Sequence, residues 1–178
     1  YRTEERGTQY AAVAYWYLAP GGIDPYQPVP VEQRHDYYTD PPLIAGGFQI
    51  LNRPRGEVQT QGMGHFRRGR WKNDDHLWWT GAKPSDRLEI AVPVDRPGRY
   101  AISAVLTKAR DYGIVQLYVN DQPAGGPIDL YYPEVTSTEP IPLGEFDLQG
   151  KQAKLSVEIV GANPQAVPSH MFGLDEIQ

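Results

Sequence analysis

The stretch GRYAISAVLTKARDYGIVQLYVN, Gly98–Asn120, decides the fold class. It holds two β-rich runs, Tyr100–Thr107 and Gly113–Asn120, joined by the polar connector Lys108–Tyr112. In the second run Val115, Leu117 and Val119 alternate with Ile114, Gln116 and Tyr118, the period of two that marks a strand. In the first, Ile102, Ala104 and Leu106 share one face, and Ala101, Ser103 and Val105 share the other. Neither run repeats at helical spacing. The two are expected to be neighbouring, antiparallel central strands of one sheet, with Lys108–Gly113 as a polar, aromatic loop at its rim.

Outward from this pair the chain repeats the same grammar. Phe48–Leu51, Glu57–Gln61, Leu77–Thr80, Asp86–Val94, Ile128–Tyr132, Ile141–Leu148, Ala153–Val160 and Met171–Ile177 read as short strands. Turn residues separate them at hairpin-like intervals, with Asn120-Asp121 and Gly150-Lys151 among the turns. Met63–Asp75 reads as a Gly- and Arg-rich loop, its basic residues solvated. This spacing predicts an all-β fold, an antiparallel β-sandwich of the jelly-roll kind, over residues 43–178. The 18 Gly, 17 Pro and 12 Tyr agree with short strands and tight turns.

Upstream the pattern changes. Pro20, Pro25, Pro28, Pro30, Pro41 and Pro42 lack amide donors and fix φ, so residues 20–42 read as an extended linker. Residues 1–19 carry both periods: Tyr10, Val13, Ala14, Tyr17 and Leu18 would make a helical stripe, Val13, Tyr15 and Tyr17 a strand face. Local physics leaves these two open. The chain opens at Tyr1 inside what reads as structure, as expected of a piece of a longer protein.

Composition narrows the function. A net charge of −5 argues against nucleic acid as a partner, although Arg53, Arg55, Arg67, Arg68, Arg70 and Lys72 face only Glu57 within their span. With no cysteine there is neither a disulfide framework nor a thiolate zinc site. No apolar run is long enough to span a bilayer. Catalysis finds no support: Glu4-Glu5 and Asp74-Asp75 are adjacent pairs, whereas glycoside hydrolysis needs carboxylates converging at about 5–10 Å. His35, His65, His76 and His170 are scattered, without metal-ligand spacing.

Binding has more to stand on. Trp71, Trp78 and Trp79 put three indoles within nine residues. In a strand Trp78 and Trp79 face opposite ways, so at most one enters the core. An exposed indole with a polar rim is a natural platform for the apolar C–H face of a sugar ring. Trp71 and Trp78 are therefore the expected stacking residues, with Asp111 and Tyr112 from the rim loop as hydrogen-bonding partners.

The segments HLWWTGAKPSDRLEIAVPV, GRYAISAVLTKARDYGIVQLYVN and MFGLDEI resemble carbohydrate-binding-module-like, galactose-binding folds of the family 6 and 35 group. YAAVAYWY followed by GGIDPYQPVPV resembles the end of the jelly-roll catalytic region of glycoside hydrolase family 172, formerly a domain of unknown function. The second resemblance implies that residues 1–19 are a terminal strand of a preceding catalytic domain, whose catalytic residues would lie upstream. The first implies a non-catalytic accessory module that binds a polysaccharide or oligosaccharide and is secreted, periplasmic or at the cell surface. It also implies a structural Ca²⁺ between an acidic first strand and the Asp of the last strand. Asp175 matches that Asp, but Phe48–Asn52 carries no carboxylate. The alternative is a structural or oligomerisation sandwich that braces the catalytic domain without binding sugar; its isolated chain would self-associate as a homo-oligomer.

Overall fold

The computed structural model describes residues 43–44 and 47–178. The expected terminal strand over 1–19 and linker over 20–42 lie outside the described residues. Twelve strands follow in chain order: β1 (Leu43–Ile44), β2 (Gln49–Ile50), β3 (Glu57–Gly62), β4 (Asp75–Thr80), β5 (Arg87–Pro93) and β6 (Gly98–Lys108), then β7 (Ile114–Val119), β8 (Gln122–Asp129), β9 (Thr136–Ser137), β10 (Ile141–Leu148), β11 (Gln152–Gly161) and β12 (Phe172–Ile177). They form two sheets. The first runs β10-β6-β12-β4-β3, with β1 also on β12 and β9 also on β6; the second runs β2-β5-β11-β7-β8. Every strand pairing is antiparallel, as expected for a sandwich.

The core lies between the sheets, and the alternating residues fill it. Ile102, Ala104 and Leu106 from β6 join Val115, Leu117 and Val119 from β7, Leu155, Val157 and Ile159 from β11, and Trp79 from β4. Each aliphatic side chain of this kind stabilises the fold by roughly 1.5–3 kcal/mol on burial. The outer face of the second sheet is polar instead. Arg87 donates to Glu158 at 2.8 Å, Tyr118 donates to the same carboxylate at 3.1 Å, and Lys154 lies 3.0 Å from Asp121.

The expected side-by-side pairing of the two central strands does not form. The runs that form β6 and β7 are not neighbours in a sheet; they belong to opposite sheets, and Lys108–Gly113 crosses between them. Period-two patterning reports which face of a strand is buried. Two strands facing one core from opposite sides show the same alternation as two strands side by side.

The expected strand Ile128–Tyr132 is also shifted. β8 begins at Gln122, directly after a two-residue turn in which Asn120 and Asp121 both have positive φ (47° and 65°). That is the primed geometry which matches hairpin twist. Asn120 Oδ1 holds the turn by accepting the Lys154 amide at 2.8 Å. Pro123, Gly125, Gly126 and Pro127 hide this strand from a propensity reading. They are tolerated because β8 is an edge strand.

Candidate functional site

β4 presents Leu77 and Trp79 to the core and His76 and Trp78 to the outer face of the first sheet. Trp79 is fully buried, and its indole N–H donates to the Arg55 carbonyl at 2.7 Å. On the outer face His76 is also fully buried, because Met63–Asp75 folds back over it. The basic residues of that segment are solvated as expected, with Arg67, Arg68 and Lys72 exposed, but Met63 and Trp71 anchor it, each at least 97% buried.

Beneath the segment runs a chain of hydrogen bonds. Trp71 Nε1–H donates to Thr107 Oγ1 at 2.9 Å, Thr107 Oγ1 meets His76 Nδ1 at 2.6 Å, and His76 Nε2 meets Gln61 Oε1 at 2.9 Å. Gln61 Oε1 can only accept, so the neutral imidazole carries its proton on Nε2 and its Nδ1 accepts from the Thr107 hydroxyl. His76 is then the Nε2–H tautomer, donating to Gln61. Burial pushes the imidazole down to about 4, so His76 is neutral at physiological pH. The network fixes Gln61 by its carbonyl and leaves its NH₂ group to donate elsewhere.

Gln61 stands at the edge of a concave site of about 80 Å³. Trp78, Met63 and Phe66 line it from β4 and the folded-back segment; Asp111, Tyr112 and Met171 line it from the crossing loop and the approach to β12. Trp78 is half-buried, Phe66 is 44% exposed and Tyr112 is buried. Burial, and then the Asp111 carboxylate beside it, raise the Tyr112 phenol, so its hydroxyl stays protonated. The rim is tied by backbone bonds from Met171 to Asp111 (3.1 Å) and from Gly113 to Met171 (2.9 Å). Enclosed small-molecule sites exceed roughly 300 Å³. This one is too small to swallow a molecule, but it can seat one face or edge of a ring. Beyond Met171 opens a wider cleft of about 460 Å³, lined by Lys83, Pro84, Pro168, Ser169 and His170 among others.

Of the residues singled out in the sequence, Trp78, Asp111 and Tyr112 come together around this one site. Trp71 does not join them. Its indole is 3% exposed and its N–H is committed to Thr107, so it has no open face for a ring. It acts from behind, with Phe66 resting 6.5 Å away, ring to ring. Gln61, Met63, Phe66, Ala109, Val135 and Met171 complete the lining and are not singled out by the sequence as site residues. Apolar Met63 and Phe66 inside an Arg- and Gly-rich stretch are the available sign that the segment packs.

Asp175 lies elsewhere, in a cleft of about 370 Å³ on the same sheet together with Arg70, Lys72, Ser137 and Glu176. It is 3% exposed, and its Oδ1 accepts the Lys72 amide at 2.9 Å. Burial above all pushes its carboxyl up to about 6, against the pull of that amide. Calcium takes six to eight hard oxygens. Among the described residues no three His, Asp or Glu side chains converge to hold a metal ion. The residues present do not fit the expected calcium.

No family model and no curated protein matches the chain. Solved structures do. A Paenibacillus xanthan lyase aligns over 77% of this chain and 13% of its own, with 18% identity and a TM-score of 0.65. A cycloisomaltooligosaccharide glucanotransferase from Paenibacillus sp., complexed with cycloisomaltoheptaose, aligns over 79% of this chain and 18% of its own (11% identity, TM-score 0.49). A family 35 carbohydrate-binding module from Clostridium thermocellum aligns over 79% of this chain and 98% of its own (14% identity, TM-score 0.46). This chain thus spans about an eighth of the lyase's length, and at these identities the likeness is one of fold: an antiparallel β-sandwich.

Proposed function

We propose that residues 43–178 are a non-catalytic module that binds carbohydrate through the Trp78 site. The observation that carries this reading is the convergence of a half-exposed indole, an apolar floor and two polar side chains, Asp111 and Gln61, on one shallow concavity. A pyranose offers an apolar face to the indole and hydroxyls that both donate and accept. Asp111 accepts from such hydroxyls and the Gln61 NH₂ donates to them. The cleft beyond Met171 gives a bound chain room to continue.

On this reading the module serves a polysaccharide-degrading enzyme outside the cytoplasm. The resemblance of residues 10–31 to glycoside hydrolase family 172 supports a catalytic neighbour on the N-terminal side. The bracing alternative draws on Tyr132 and Val167, which are 48% and 49% exposed and flank the crossing loop through backbone bonds to Ala109 and Arg110. Affinity electrophoresis through gels containing plant, algal or bacterial polysaccharides tests the proposal. Retardation in at least one gel, abolished by Trp78→Ala, is the expected result. Unretarded migration across the panel, with a concentration-dependent dimer in solution, would replace it with the bracing role.

A further inference from the structure

The last strand does something a regular strand cannot. Leu174 and Ile177 both enter the core although they are three positions apart, an odd spacing. The register of β12 against β6 jumps between Leu174 and Glu176, which makes Asp175 the extra residue of a β-bulge. The bulge turns Asp175 and Glu176 to the same outer face, where both are at least nine-tenths buried. Among the described residues, Glu176 Oε2 is buried there without a hydrogen-bond partner. Adjacent buried acids of this kind call for a cation.

Lys72 meets both. Its backbone N–H donates to Asp175 Oδ1 at 2.9 Å, and its ammonium lies 3.9 Å from Glu176 Oε2. Lys72 begins the 3-10 turn Lys72–Asp74, whose Asn73 and Asp74 have positive φ, so the turn is shaped to set Lys72 over the bulge. The same segment carries Met63, Trp71 and Phe66, the cover of the outer face and a wall of the Trp78 site. We propose that Lys72 acts as a built-in cation that latches the Met63–Asp75 segment onto the Asp175–Glu176 bulge, so that the fold closes without calcium. The latch is independent of sugar binding: it holds the wall, whatever the wall binds.

Thermal unfolding of the whole chain, in excess EDTA and in millimolar calcium at matched ionic strength, tests it with calcium alone as probe. The midpoint is expected to be the same in both. Lys72→Met, which keeps the amide but removes the ammonium, lowers it by about 2–4 °C, the size expected for one partly exposed ion pair in a domain this large. Lys72→Arg restores most of that loss. A midpoint raised by calcium in the unaltered chain would overturn the proposal, because a ligand of the native state must stabilise it. So would a Lys72→Met chain as stable as the parent, or a loss that Lys72→Arg fails to repair.

Discussion

Replacing Asp175 by Asn is expected to stabilise this protein at neutral pH and to leave it nearly unchanged in acid. The Asp175 carboxyl titrates at about 6 in the fold against an ordinary value of 3.8. The native state therefore binds its proton more tightly than the unfolded chain, and stability is lost as pH rises from 3.8 through 6. A difference of that size between the folded and unfolded chain corresponds to about 3 kcal/mol. Asn keeps an oxygen for the Lys72 amide and carries no charge, so the advantage of Asp175→Asn grows from near zero at about pH 4 to about 3 kcal/mol at about pH 7. His76 has the opposite sign. Its native value of about 4 lies below 6.5, so its contribution is present above pH 6.5 and lost as pH falls toward 4, again by about 3 kcal/mol. The two opposing slopes overlap between about pH 4 and 6. In the parent chain they offset each other, and in Asp175→Asn the His76 slope is no longer offset by Asp175. Urea unfolding followed by tryptophan fluorescence, at half-unit steps from about pH 4 to 7, measures the difference directly. Parallel pH profiles for parent and variant would refute the reasoning. A variant less stable at neutral pH would point to a bound cation in place of a strained carboxylate.

Two further perturbations probe the layer under the site. Thr107→Val matches the side chain's shape but leaves the Trp71 N–H and His76 Nδ1 without partners; at about 1–3 kcal/mol for each orphan, a loss of roughly 2–6 kcal/mol is expected in urea unfolding. Gly173→Ala would place a methyl carbon 2.7 Å from His76 Nδ1 and 2.9 Å from Thr107 Cβ, and is expected to destabilise by about 1–3 kcal/mol in the same assay.

Much of the fold is local in origin and can be read from the chain. The alternation of Ile102, Ala104 and Leu106, or of Leu155, Val157 and Ile159, announces strands with one buried face, and the rarity of any other pattern announces a sandwich. Which strands lie side by side is not local. A side-by-side placement of β6 and β7 fails because alternation is blind to whether a partner sits beside a strand or across the core. The bulge at Asp175 is equally hidden: only the register of β12 against β6 reveals that two consecutive acids face the same way.

The candidate site divides along the same line. Trp78, Asp111 and Tyr112 can be singled out because residue chemistry points to them. Trp71 has the same chemistry, and nothing short of the folded-back segment shows that its indole is sealed under Met63–Asp75. Gln61 becomes visible only through the hydrogen-bond chain from Trp71 to Thr107 to His76, whose links are up to 36 residues apart in sequence.

Tryptophan fluorescence titration of the chain against a panel of soluble polysaccharides addresses the central claim most directly. Trp71 and Trp79 are sealed from solvent, so among the described indoles only Trp78 can touch a ligand. The account predicts a saturable shift with at least one polysaccharide, and the loss of that shift in Trp78→Ala with the fold intact. A saturable shift that survives Trp78→Ala unchanged, or no shift across the panel, would contradict it.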